Sequence, residues 1–276
     1  MNSLSKMLAV LDLFDAPAAL ISAEDIIGKL NYSRPQGYRY IKELCAAGLL
    51  IRFKSGYTLG PRCIELDFLI RQNDPLLRAS EAVMRQVSDL NGCDVLLATM
   101  YGDRIVAIHH ERGADPTTIS FGRGRRMPLL RGAGSKVILA ALSRSAQMKL
   151  VAAHADELAS STLGSSWDEI AAALKAIRKS GYAISVGELD PSNVGIGVPL
   201  VSDDATFPSS IVLVLSAARY KTTNLDSIVE VALASRDTIL RRLATMTGTG
   251  GALREKSPRG EAAGQPVPAL AKTARK

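Results

Sequence analysis

Residues 33–50 read SRPQGYRYIKELCAAGLL. Ile41, Leu44 and Leu49 fall where a helix would face a core, while Arg34, Gln36, Tyr38, Arg39 and Lys42 crowd into the same short segment. Ser33 suits an N-cap, Pro35 the first turn, and Gly48 the position just past a helix ending near Ala46. Upstream, Leu4, Met7, Leu8, Leu11 and Phe14 recur at helical spacing, and Pro17 closes that helix. The segment ISAEDIIGKL (21–30) predicts a second helix, with Ser22 and Asp25 resembling a capping box ahead of Ile26, Ile27 and Leu30. Downstream, LLIRFK and GYTLG flank Lys54-Ser55-Gly56 as a hairpin with glycine at its turn. Three short helices and a hairpin within residues 1–60 make a winged helix-turn-helix domain.

In such a domain the last helix lies in the major groove with its N-terminal residues at the base edges. Arg34 and Arg39 suit guanine acceptors, Gln36 suits adenine, and Tyr38 a phosphate or a thymine methyl group. Lys42, with Arg52 and Lys54 of the wing, suits the phosphate backbone. A basic cluster by itself is more often a solvated helix face. The ordered set of elements around it is what favours double-stranded DNA as a partner.

A chain of 276 residues with 47% hydrophobic content holds one large domain or two modest ones. Its net charge of +7 is unevenly placed, because residues 248–276 alone carry six basic and two acidic side chains. That segment is rich in Gly, Pro and Ala without apolar periodicity, and is expected to be a disordered basic tail. The apolar runs Val137–Leu142 and Ile211–Ala218 are far shorter than a membrane span needs. Asp12 and Asp15 interrupt the first apolar stretch, so no export signal is expected and the chain reads as cytoplasmic. Cys45, Cys63 and Cys93 fit neither a disulfide framework nor a zinc site, and no metal or cofactor is expected.

A further helix is expected over the linker, residues 61–73, with Ile64, Leu66, Leu69 and Ile70 as its apolar positions. A second domain then spans 74–247. CDVLLATM and RIVAIHHE read as strands paired across Gly102-Asp103, followed by helices from GAGSKVILAALS, SAQMKLVAAH and WDEIAAALKAIRKSG. Strands resume at YAISVGE, VGIGVPLV and SSIVLVLSA before a last amphipathic helix. Helices clustered between groups of strands argue for the α+β class with a mostly antiparallel sheet.

Three stretches carry a family resemblance: SAEDI through YRYIKELCAAGLL to GYTLGPR, then GRGRRMPLLRGAGSKVILA, then IRKSGYAISVGELDPSNVGIGVPLV. Together they resemble the IclR family of bacterial transcriptional regulators over nearly the whole chain, to about residue 245. The resemblance implies a winged DNA reader, a linker helix and a GAF-like effector-binding domain that takes a small organic or aromatic carboxylate. It also implies homodimers that pair into homotetramers on DNA.

GAGSK is not a phosphate-binding P-loop, because Ser135 precedes Lys136 and Val137 follows it. A helix start after small residues still offers free amides to a carboxylate, which nominates Ala133 and Gly134; tight turn packing is the competing reading. The resemblance adds Glu188, Asp190, Pro199 and Ser216 to the effector pocket. Some members have a cysteine and a pair of serines there, whereas Pro199 stands where the cysteine would fall. Arg123, Arg125, Arg126 and Arg131 flank the pocket helix and suit an acid, a neighbouring subunit or solvent equally. His109 and His110, adjacent on a strand, face opposite ways and cannot share one substrate or metal. No catalytic residue is expected, and the chain reads as a DNA-binding regulator modulated by an organic acid. The alternative is an acid-binding enzyme or sensor whose N-terminal domain contacts proteins.

Overall fold

The computed structural model describes residues 2–14, 20–201 and 207–248, and the chain divides into two compact units between Asp74 and Pro75. In the first unit α1 (Ser3–Ala9) starts at Asn2, whose side chain accepts the Ser5 amide at 2.8 Å. The helix expected to run through Phe14 stops early and tightens into a 3-10 turn at Leu11–Leu13. That turn puts Val10 in the core with Met7, Leu11, Leu13 and Phe14 packed around it. Leu4 and Leu8 instead face outward, 66% and 53% exposed. Pro17, the expected stop, lies outside the described residues.

Helix α2 (Ala23–Lys29) is capped by Ser22, whose hydroxyl accepts the Asp25 amide at 3.0 Å and donates to the Asp25 carboxylate at 2.7 Å. The reciprocal half of a capping box is missing because aspartate is one methylene too short, and its carboxylate takes the hydroxyl instead. Helix α3 (Arg34–Ala46) ends in a Schellman motif at left-handed Gly48, with Leu49 N–H donating to Leu44 C=O at 2.9 Å and Gly48 N–H to Cys45 C=O at 3.0 Å. Ser33 has N-cap backbone geometry, but its hydroxyl makes no capping bond.

Strands β1 (Leu50–Phe53) and β2 (Gly56–Leu59) pair antiparallel, with Phe53 opposite Gly56. The turn is therefore Lys54-Ser55, and Gly56 belongs to the strand. Glycine is required there for a different reason than the one expected: Ile21 bridges to Tyr57, and a Cβ on Gly56 would fall 2.6 Å from the Ile21 carbonyl oxygen. Helix α4 (Arg62–Asn73) completes the unit with no buried residue.

The second unit begins with α5 (Pro75–Asn91) and the hairpin of β3 (Asp94–Tyr101) and β4 (Arg104–Glu111), turned at Gly102-Asp103 with Gly102 at positive φ. A two-residue β5 (Arg126–Met127) precedes α6 (Ala133–Ala141), α7 (Arg144–Ala153) and α8 (Trp167–Ser180). Then come β6 (Ala183–Val186), β7 (Asn193–Leu200), β8 (Ser209–Ser216), a short α9 (Ala217–Thr222) and α10 (Leu225–Thr247). The sheet runs β5-β4-β3-β8-β7-β6, antiparallel throughout.

Period-two alternation assigns the strand faces. Val95, Leu97, Val194, Ile196, Val198, Ile211, Leu213 and Leu215 pack on α5 and α10. Leu96, Val212 and Val214 point the other way, onto α6. Because β7 carries Gly195 and Gly197 on that second face, α6 sits almost against the sheet backbone. A Cβ on Gly197 would lie 2.7 Å from the Ala133 carbonyl carbon. Among the described residues no helix is long and apolar enough to cross a membrane.

Candidate functional site

Helix α3 buries Gly37, Tyr40, Ile41 and Leu44 against α2 and β1, leaving Arg34, Tyr38, Arg39 and Lys42 exposed on the opposite face. Arg52 and Lys54 are exposed on the wing beside them. Gln36 is half-buried and its amide donates to the Tyr40 hydroxyl at 3.0 Å, so it braces the helix against the core. Ser3 reaches the same hydroxyl at 3.0 Å, and these two bonds draw the Tyr40 pKa below its usual value. The Arg39 guanidinium lies over the Tyr40 ring, 5.4 Å from its centroid, a cation–π contact that steadies the head of an otherwise exposed side chain. Tyr38 donates to Glu24 at 2.9 Å; the carboxylate holds the phenol's pKa up. The exposed Phe53, at the tip of β1, is a wing residue that sequence reasoning passed over.

In the second unit a hollow of about 40 Å³ lies between the N-terminus of α6, the sheet and the turn joining β6 to β7. Ala133, Gly134, Glu188 and Asp190 all line it. Gly132 takes positive φ to start α6, and the first-turn amides of Ala133 and Gly134 have no carbonyl a turn earlier to bond. Lys136, on the next turn, is almost wholly buried and pairs with Glu188, while also donating to Thr162 Oγ1 at 2.6 Å. The second Glu188 oxygen accepts the Gly132 amide at 2.8 Å. Glu188 thus neutralises the lysine and fixes the helix start, leaving the amides of Ala133 and Gly134 as unpaired backbone donors among the residues that line the hollow. Asp190 accepts the Ser120 amide at 3.1 Å.

Pro199 does not reach this hollow. It lines a separate, more open one of about 300 Å³ with Val137, Ala140, Ile177, Arg178 and Val201. The Arg178 guanidinium there is committed to the carbonyls of Ala140 and Leu142. Ser216 faces the side of the sheet that bears the smaller hollow, opposite Asn193, but its hydroxyl caps α9 by accepting the Arg219 amide at 3.3 Å. The wall is made instead by Leu96, Met127, Ser185, Asn193, Gly195, Val212 and Val214. Alternation along β7 and β8 would have pointed to Asn193, Gly195, Val212 and Val214 had the strand ends been known.

Arg125 and Arg126 are exposed, Arg123 donates to the Ile108 carbonyl at 2.8 Å, and none of the four flanking arginines lines the hollow. His109 bonds Glu111 at 2.8 Å and His110 bonds Asp94 at 3.3 Å, on opposite faces of β4. Burial pushes the Cys93 thiol up to about 12, which leaves it neutral and inert. Among the described residues no group of three or more His, Cys, Asp or Glu side chains is placed to hold a metal ion.

Residues 70–241 match the family model described as the bacterial transcriptional regulator IclR C-terminal domain. The HTH-type transcriptional regulator KipR of Bacillus subtilis (strain 168) is 23% identical over 230 residues, which is 82% of this chain and 90% of that protein. The crystal structure of an IclR family transcriptional regulator from Brucella abortus superposes with a TM-score of 0.72 at 17% identity, covering 89% of this chain and 92% of that one. An IclR homolog from Microbacterium hydrocarbonoxydans, crystallised with 4-hydroxybenzoate, gives 0.66 at 19% identity over 88% of this chain and all (100%) of its own. At such identities the structural likeness establishes the fold. These relatives are transcriptional regulators, not enzymes.

Proposed function

Since the chain belongs to the IclR family of bacterial transcriptional regulators, we propose that it binds a double-stranded DNA operator through α3 and the wing, and that a small carboxylate in the second unit modulates that binding. The observation that carries the first part is the segregation on α3. Arg34, Tyr38, Arg39 and Lys42 share the exposed face, and every residue of the opposite face is committed to the core. Arg34, Tyr38 and Arg39 are the base-edge candidates, with Lys42, Arg52 and Lys54 on phosphate. Gln36 acts through Tyr40 as a positioning residue in the free protein, and reaches adenine only by leaving that bond.

The carboxylate reading rests on the free amides of α6 and its partial positive end inside a buried site. Ala133 and Gly134 would hold the acid, Asp190 would meet a donor elsewhere on it, and Ser185 and Asn193 supply further polar contacts. The relative bound to 4-hydroxybenzoate makes hydroxylated aromatic acids the first class to try, beside short aliphatic acids that match the size of the hollow. Acid binding would bias one of two arrangements of paired reading units and so the fit to half-site spacing. Apolar side chains left open on α1 and α4 are suited to pairing those units.

Selection of bound fragments from a random DNA pool tests the reading. A short, roughly palindromic motif is the expected outcome, and recovery of no motif by folded protein would overturn it. On the selected site Arg39→Ala should cost about 1–3 kcal/mol and relax one position. Unchanged affinity across a salt series would remove Arg39 from the interface. Titration of the complex with acids, from acetate to 4-hydroxybenzoate, then tests the modulation.

A further inference from the structure

We propose that residues 112–121, which follow β4, form a strap gating the hollow under α6, hinged at Asp94 and latched at Asp190 and Asn193. The inference rests on the reading of that hollow as a ligand site and adds how it opens. Asp94 is 0% exposed, yet its carboxylate is fully occupied. Oδ2 accepts the Thr117 amide at 2.7 Å and the Thr117 hydroxyl at 3.0 Å, and Oδ1 accepts the Gly113 amide at 3.2 Å and His110 Nε2 at 3.3 Å. The Asp115 amide donates to the Gly92 carbonyl at 3.1 Å, and Gly113 packs so closely that a Cβ there would lie 2.4 Å from the same oxygen. A buried carboxylate cannot release four donors without being left both charged and unsolvated, so this end of the strap is fixed.

The other end is held differently. Asn193 Nδ2 donates to the Thr118 carbonyl at 2.8 Å, and the Ser120 amide donates to Asp190 at 3.1 Å in an exposed position. Asp190 lies in the turn between β6 and β7 and Asn193 opens β7; the turn is closed by Gly187 N–H to Asn193 C=O and Asn193 N–H to Asp190 C=O, each 2.9 Å. Between the two latch bonds sits Ile119, packed on the cluster of Leu96, Ala133, Val137, Val212 and Val214 as a plug. The exposed Ser120–Asp190 bond exchanges for water at small net cost, and the part-buried Asn193–Thr118 bond joins two neutral groups, whereas the Asp94 bonds all centre on one fully buried carboxylate. The latch end therefore opens while the hinge holds. Because Ile119, Asp190 and Asn193 are themselves walls of the hollow, its opening also widens the site.

The test uses the full chain with no ligand added. Val214→Cys, a substitution of similar size, puts a thiol in the wall of the hollow. Its modification by methyl methanethiosulfonate is followed by peptide mass spectrometry, with Cys45 as the internal reference. Asp190→Ala should speed modification at position 214 roughly two- to tenfold, and hydrogen exchange of residues 118–121 with it. Exchange of residues 113–117 should stay slow, and Asp190→Asn, which keeps an acceptor oxygen, should recover much of the wild-type protection. An unchanged rate at position 214, or equal acceleration of both halves of the strap, would overturn the gate. With neither DNA nor acid in the experiment, its failure is separate from failure of the effector reading, which the acid titration decides.

Discussion

At the scale of single residues, Lys136 and Glu188 show what a buried charge requires. Lysine near a helix N-terminus opposes the helix dipole, and burial removes its hydration as well. Glu188 answers both by pairing with the ammonium and accepting the Gly132 amide. Lys136→Met should therefore cost about 3–5 kcal/mol in urea unfolding, since it leaves a buried carboxylate without its cation. Adding Glu188→Gln to that variant should recover part of the loss. A single-variant cost below about 1 kcal/mol would mean the pair is screened by water. Nothing in the sequence linked these two residues, because a pairing 52 positions apart depends on where the β6–β7 turn folds back. The residue types on α3 were legible for the opposite reason, since their arrangement is local and follows from helical spacing alone.

At the scale of elements, most helices and strands could be read from periodicity, while contacts between backbones could not. Gly56 looked like a turn residue and is a contact residue; the early end of α1 follows from Val10 reaching the core. The hollow was half legible: the start of α6 and the acidic turn announce themselves, but the strand walls depend on a register that no single strand reveals. Gly197 is the element-scale determinant of that register's consequence. Gly197→Ala drives a methyl group into the backbone of Ala133 and Gly134, and should destabilise the second unit by about 1–3 kcal/mol while displacing α6. Gly195→Ala meets mainly side chains, at 3.0 Å and beyond, and should cost less. Equal unfolding midpoints for the two variants would contradict this account.

At the scale of the whole molecule, the family was legible because its motifs follow one another in order across both units, a signal that no single motif carries. The first unit leaves Ile64, Leu66, Phe68, Leu69 and Ile70 of α4 exposed, along with Leu4 and Leu8 of α1. A helix with so much apolar surface uncovered marks an interaction face. Sedimentation equilibrium should find dimers or larger assemblies at micromolar concentration, and Phe68→Asp with Ile70→Asp should shift them toward monomer without lowering helix content. A monomeric wild-type chain would contradict pairing through this face.

The size of the hollow has a mechanical consequence. About 40 Å³ is space for roughly three waters, less than an aromatic ring needs. A site already shaped for its ligand would be filled without disturbing anything around it, and would transmit nothing. On the effector reading proposed above, a ligand larger than a few atoms would have to push the walls apart, so part of its attraction would be converted into work on α6 and the turn that carries Asp190. Tightness of binding and strength of signal would then trade against each other, and the ligand that binds best need not be the one that displaces the protein most.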